Sequence, residues 1–394
     1  MAERNLDFDR IIDRKNTRCL KYDFAVKRGM PEDVLPLWVA DMDFGTAPFI
    51  VDAIRKRCEC EVLGYTGKPD SYYRAIINWV KQRYDLDVTK EMINFVPGIV
   101  PGIGMAMNSF TRPGDKVMIQ PPVYHPFAWV TTRNERTLVT NPLKWGNGMY
   151  RMDLDAFREQ VKGCKLFILC NPHNPGGVVW TEDELRTVAE ICYEEKVLVF
   201  SDEIHADLTL PPYKHRPFAT ISEKAKMNSV TFMSPSKAFN MPGLAASHAI
   251  IFNEDLRARF RKFMDAGELD MGHVFAFLSV EAAYTHGTEW LDQCLAYIQG
   301  NIDYVDNFLK THAPRIKAIR PQASYLVWLD CRELGLNQEA LNDFFADKAH
   351  LALNDGAMFG KEGTGYMRLN VASPRSVIEQ AMKQLAEAYQ AMSF

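Results

Sequence analysis

Between Glu91 and about Asn253 the sequence alternates short apolar runs with helix-length amphipathic stretches, and this alternation limits the fold more than any other feature. A strand that is apolar at nearly every position has both faces covered, which is the mark of a parallel sheet whose crossovers are helices. Seven runs qualify: Ile93–Val96, Lys116–Gln120, Thr137–Thr140, Leu166–Cys170, Val197–Ser201, Val230–Met233 and His248–Phe252. Each is rich in Val, Ile, Leu or Phe and ends in turn residues. Thr181-Glu182-Asp183-Glu184 fits a capping box opening a helix to about Glu194, between two of the runs, as a βαβ unit requires. The expectation is an α/β fold built on a large, mostly parallel seven-stranded sheet.

After about Phe275 the pattern changes to long helical stretches. A strand is expected at Ser324–Asp330, a helix near Gln338–His350 and another strand at Met367–Val371. A last helix presents Ile378, Met382, Leu385 and Tyr389 on one face, with Pro374 in its first turn. This reads as a smaller α+β domain. The expected division is an N-terminal arm, residues 1–44, contributing to the small domain, a large domain over 45–280 and the small domain over 281–394.

Composition removes several classes of function. With 46 Lys and Arg against 50 Asp and Glu, the net charge of −4 offers no footprint for nucleic acid or an anionic membrane surface. The most apolar stretch, Phe95 to Met107, is too short to span a bilayer and is cut by Pro97, Gly98, Pro101, Gly102 and Gly104. The opening residues, Met1 to Arg10, are charged throughout and carry no apolar secretory core, so a cytoplasmic location is expected. The eight cysteines are scattered, and the closest pair, Cys58 and Cys60, lacks a second pair or histidines at ligand spacing. Free thiols and no metal are expected.

In parallel sheets ligands bind beyond the carboxyl ends of the strands, so the residues that follow each run matter most. After Ile93–Val96 comes Pro97-Gly98-Ile99-Val100-Pro101-Gly102, a turn opening a helix whose free amides suit a phosphate. After Leu166–Cys170 comes Asn171-Pro172-His173-Asn174-Pro175-Gly176-Gly177, which alone reads as a Pro/Gly turn. After Val197–Ser201 comes Asp202-Glu203-Ile204-His205, where the carboxylate could equally cap a helix. After Val230–Met233 comes Ser234-Pro235-Ser236-Lys237, and a lone lysine is usually a solvated surface charge. Taken together, the turns supply an amine, a carboxylate, an amide side chain and phosphate donors at one sheet edge. That is the requirement of a pyridoxal phosphate site.

Along essentially its whole length the chain resembles fold-type I pyridoxal-phosphate enzymes of the class I/II aminotransferase superfamily. Leu35-Pro36-Leu37-Trp38-Val39-Ala40-Asp41-Met42-Asp43-Phe44, Asp202-Glu203-Ile204-His205 and Ser234-Pro235-Ser236-Lys237-Ala238-Phe239-Asn240 look like the MalY/PatB cystathionine β-lyase branch, which includes cystalysin-like C–S lyases. The resemblance implies the aminotransferase fold type I and pyridoxal 5′-phosphate as cofactor. It implies that Lys237 forms the Schiff base and then serves as acid and base at the substrate Cα, and that Asp202 pairs with the pyridinium N–H. Asn174 and His205 match residues that bond the ring oxygen, and Tyr124 matches the aromatic stacked on the ring; a buried core tyrosine is the plainer alternative. Amides of Gly98, Ile99 and Val100, with the hydroxyls of Ser234 and Ser236, match phosphate donors. Arg368 matches the arginine that clamps the substrate α-carboxylate. Tyr65 matches a tyrosine reaching the phosphate of the neighbouring subunit, which implies a homodimer with shared sites, although an ordinary turn tyrosine is the alternative.

One departure bears on the reaction. Where many transaminases carry a phosphate-binding arginine in GxRxG, this chain reads Gly243-Leu244-Ala245-Ala246-Ser247, as expected of the lyase branch. The expected reaction is β-elimination from an amino-acid thioether such as L-cystathionine, releasing a thiol, pyruvate and ammonia. An L-amino-acid aminotransferase and a regulatory protein using the fold as a binding surface are the rival readings. His125 stands where cystalysin-like sequences can carry a second tyrosine, next to the expected leaving group.

Overall fold

The computed structural model describes residues 6–392; the charged opening discussed above therefore lies partly outside the described residues. Seven strands form one sheet: β1 (Ile93–Val96), β2 (Lys116–Ile119), β3 (Thr137–Thr140), β4 (Cys164–Cys170), β5 (Leu198–Asp202), β6 (Ser229–Met233) and β7 (Ser247–Ile250). Their spatial order is β1-β7-β6-β5-β4-β2-β3, with β7 antiparallel to both neighbours and the other pairs parallel. All the runs marked from the sequence are strands, displaced by at most two residues at an end.

The alternation along each strand shows why the runs are apolar throughout. Val117, Ile119, Leu166 and Ile168 pack on one face, among residues of α1 (Ile99–Phe110) such as Ile103 and Met107. Met118, Phe167, Leu169 and Val199 pack on the other, against Leu185, Val188 and Ile191 of α2 (Glu182–Glu194). Both faces are covered, so the strands are apolar at most positions on either side. The capping box is formed: Thr181 accepts from the Glu184 backbone N–H, and Glu184 accepts from that of Thr181.

A second, antiparallel sheet holds β8 (Lys317–Ile319), β9 (Leu326–Asp330), β10 (Asn354–Asp355) and β11 (Tyr366–Asn370) in the order β8-β9-β11-β10. Its register places Arg368 between Trp328 and Asn354. The long helix α3 (Thr288–His312) and the last helix α4 (Arg375–Gln390) pack on each other beside it. Leu35–Pro36 pairs in parallel with Leu351–Ala352, tying the N-terminal segment to this part of the chain.

Two sequence expectations are corrected. The helix expected at Gln338–His350 is α-helical only to Asp343 and widens into a π turn over Phe344–Lys348. Phe344 and Phe345 are consecutive yet both buried, and a widened turn lets adjacent aromatic side chains reach the same core. Pro374 precedes α4 as its N-cap instead of lying in the first turn, with extended backbone at ψ 144°.

Candidate active site

The carboxyl ends of β1, β4, β5 and β6 open on one cavity of about 230 Å³. Gly98, Ile99, Val100, Tyr124, Asn174, Asp202, His205, Ser236 and Lys237 all line it. Each follows directly from the local fold. Gly98 is the N-cap of α1 at φ 135°, a conformation open to glycine and strained for other residues, and it turns the first amides of the helix toward the cavity. Gly102, one turn on, has no room for a Cβ, which would stand 2.8 Å from Val96. The chain can therefore bend tightly from β1 into α1.

Asp202 is the last residue of β5 and is buried; its Oδ1 accepts from the Ile204 N–H at 3.1 Å. Burial raises its pKa to about 7 against the Ile204 N–H bond, with smaller effects from the neighbouring Glu203 charge, which raises it, and Lys237, which lowers it. Lys237 lies beyond β6, and its amine donates to the carbonyl oxygen of Ala40, which also accepts from the Tyr325 hydroxyl at 3.0 Å. Burial, with Arg368 nearby, lowers the Lys237 pKa to about 8, against the pull of Asp41 and Asp202. His205 is pushed to about 3 by burial and by the Lys237 and Arg368 charges, so its imidazole is neutral at pH 7.

Arg368 stands beside the cavity. One terminal nitrogen donates to Asn174 Oδ1 at 3.0 Å; the other donates to Asn354 Oδ1 at 2.6 Å and to Trp38 O at 3.3 Å. The Phe359 ring lies 4.7 Å from the guanidinium carbon. Its Nε is buried without a hydrogen-bond partner, a donor left free for an incoming oxygen.

Three residues singled out from the sequence stand elsewhere. Ser234 lies one step behind the cavity wall, donating to Ala246 O at 2.7 Å and touching Ser236 Oγ at 2.7 Å, so it supports the hydroxyl that faces the cavity. Tyr65 is 97% exposed and outside the cavity wall. His125 also lies outside that wall, packed against Trp129 and Phe359, and burial lowers its pKa to about 4. Sequence reasoning missed Ala40, Cys170 and Ser247 in the wall. It also missed the grip on residues 38–44: Asn370 donates to Val39 O and Asp41 O, and Asn240 to Met42 O and Phe44 O.

The donor set fits a pyridoxal phosphate. An amine and a carboxylate face one space, unpaired helix amides open into it, and the Nδ1 of His205 is buried without a partner. The fold and this edge of the sheet define the chain's class. Residues 32–385 match the model of the aminotransferase class I and II family, and the chain belongs to that family.

Among its relatives, the cystathionine β-lyase PatB of Bacillus subtilis is 38% identical, over 97% of this chain and all of that one. The crystal structure of cystalysin from Treponema denticola, which contains pyridoxal 5′-phosphate, superposes with a TM-score of 0.94 at 35% identity, covering 98% and 99% of the two chains. A pyridoxal-phosphate-bound putative aminotransferase from Clostridium difficile superposes at 0.95 with 40% identity, covering 98% and 100%.

Proposed function

We propose that the protein is a cytoplasmic, homodimeric pyridoxal-5′-phosphate-dependent carbon–sulfur β-lyase that cleaves L-cystathionine or related cysteine S-conjugates to a thiol, pyruvate and ammonia. The observation that carries this reading is the convergence of Lys237 and Asp202 in one cavity, with Arg368 bonded to Asn174 in its wall. When bound, the cofactor supplies an electron-withdrawing ring that stabilises negative charge at the substrate Cα.

The chain's own groups do the rest. Lys237 would hold the cofactor covalently until the substrate amine displaces it; the freed Lys237 amine, reduced in proton affinity by burial, takes the Cα proton near neutral pH. Asp202 would pair with the ring nitrogen and keep a proton on it. His205, as a neutral imidazole, and Asn174 offer donors to the ring oxygen. The Gly98, Ile99 and Val100 amides, with Ser236 backed by Ser234, take the phosphate. Tyr124 would cover the ring face, and Arg368 would fix the α-carboxylate so that the Cα–H is aimed at Lys237. The Cβ–S bond then breaks with its electron pair going to sulfur, which takes the proton that Lys237 removed from Cα and leaves as the thiol, and water converts the remaining three-carbon fragment to pyruvate and ammonia.

A shared site is supported by the exposure of Tyr65 beside Val62 and Leu63, an apolar surface cluster suited to a second copy of the chain. Among the described residues no helix is long and apolar enough to cross a membrane. The direct test is Lys237→Ala. It is expected to fold, to bind cofactor reversibly and to release no thiol from L-cystathionine. Thiol release at the wild-type rate would remove Lys237, and the reading with it.

A further inference from the structure

The cavity uses Asp202, but the next residue carries an equally buried carboxylate that no step above employs. Glu203 is not part of the cavity wall and is almost wholly enclosed. Its Oε1 accepts from the Ser201 hydroxyl at 2.8 Å and from the Phe218 backbone N–H at 2.9 Å. Its Oε2 meets His215 Nε2 at 2.8 Å. The backbone is pinned as well: the Glu203 N–H donates to Phe232 O at 2.9 Å, and Asp202 O accepts from the Asn171 N–H at 2.9 Å. Two donors on Oε1 and a ring nitrogen of His215 on Oε2 make an arrangement suited to a carboxylate. The Tyr84 ring stands edge-on to His215 at 5.5 Å, and the Tyr84 hydroxyl donates to buried Asp207, closing the back of the turn.

We infer that Glu203 is a positioning residue whose fixed negative charge, anchored by His215, Ser201 and the Phe218 amide, keeps the ring-nitrogen proton on the Asp202 side of the cofactor site. The inference rests on the cofactor reading above and extends it to a residue behind the cavity. The charge has a short path to act: Asp202 and Glu203 are adjacent in the chain and both buried, where solvent screening is weak. The other titratable groups whose charges Asp202 feels or influences are Lys237, Tyr124 and Cys170. Of these only Lys237 is cationic, and it opposes the effect. A negative neighbour raises the proton affinity of whatever shares a proton with Asp202. Neutralising Glu203 therefore lowers the pH at which the ring nitrogen gives up its proton.

The test uses wild-type and variant proteins loaded with pyridoxal 5′-phosphate labelled with ¹⁵N in the ring, and follows the nitrogen chemical shift against pH. In Glu203→Gln, which keeps the shape and an acceptor, the deprotonation midpoint is expected to fall by about one pH unit, tenfold in proton affinity. In Glu203→Asp and His215→Gln, which keep the charge, it is expected to stay within about 0.3 unit. A wild-type midpoint in Glu203→Gln, or an equal fall in the charge-retaining variants, overturns the inference. Where Glu203→Gln does not fold, Glu203→Met, which also removes the charge, is read instead: a fall of about one unit supports the inference and a wild-type midpoint overturns it. Failure of the wild type itself to bind labelled cofactor would instead strike the proposed function.

Discussion

Replacing Arg368 with lysine separates charge from geometry. The guanidinium is held by Asn174, Asn354 and the Trp38 carbonyl, with Phe359 against it, and its Nε is unpartnered. A carboxylate gripped by two charge-assisted bonds gains about 1.5–3 kcal/mol from each. Lysine keeps the charge and one bond but cannot reproduce the fork, so the expected loss is about 1.5–3 kcal/mol, roughly 10- to 150-fold in kcat/KM. The loss should fall mainly on KM, because the carboxylate is held alike in the ground and transition states. The assay compares thiol release from a cysteine thioether and from its α-methyl ester, in wild type and Arg368→Lys. The free acid should lose the stated factor and the ester should lose little, having no carboxylate to forfeit. Equal losses for acid and ester, or an unchanged kcat/KM for the acid, would refute the assignment of Arg368.

Two further expectations follow from the buried charges and the surface. The Lys21 amine is fully buried against Asp43 at 2.6 Å, and Arg14 and the Ser373 hydroxyl reach the same carboxylate, each at 2.7 Å. Asp43→Asn should cost about 3–5 kcal/mol in urea unfolding by leaving the buried ammonium only the more distant Asp41 carboxylate, at 3.8 Å. Burial pushes the Asp43 carboxyl up, but Lys21, Ser373 and Arg14 outweigh it and hold the pKa below the usual range. Its stabilising contribution is thus complete above about pH 4 and lost as pH falls through the depressed value, so the gap between wild type and variant should close in acid. Mixing Lys237→Ala chains with Tyr65→Ala chains should restore about a quarter of wild-type activity, since half of randomly paired dimers are mixed and each has one intact site. Two inactive parents whose mixture stays inactive after exchange would place Tyr65 outside a shared site.

The main sheet was legible because strands buried on both faces leave an unmistakable apolar run, and the turn chemistry after β1, β4, β5 and β6 marked the cavity. What escaped notice escaped for physical reasons. The acceptor for Lys237 is the Ala40 carbonyl, and a backbone atom leaves no trace in residue type. The grip of Asn240 and Asn370 on residues 38–44 joins positions far apart in sequence, which no local pattern encodes. The π turn after Asp343 answers to two adjacent phenylalanines that share one core, a demand visible only once the core exists. The Lys144–Gly146 and Met149–Arg151 hairpin did carry a signal: Asn147-Gly148, both at positive φ, is the strongest short hairpin cue.

The central claim is elimination without an amino acceptor. The measurement is pyruvate and free thiol released from L-cystathionine by the cofactor-loaded protein with no keto acid present. Equal amounts of both over many turnovers are predicted. Conversion that halts after about one equivalent of cofactor and resumes on adding a keto acid would contradict the account and make the protein a transaminase.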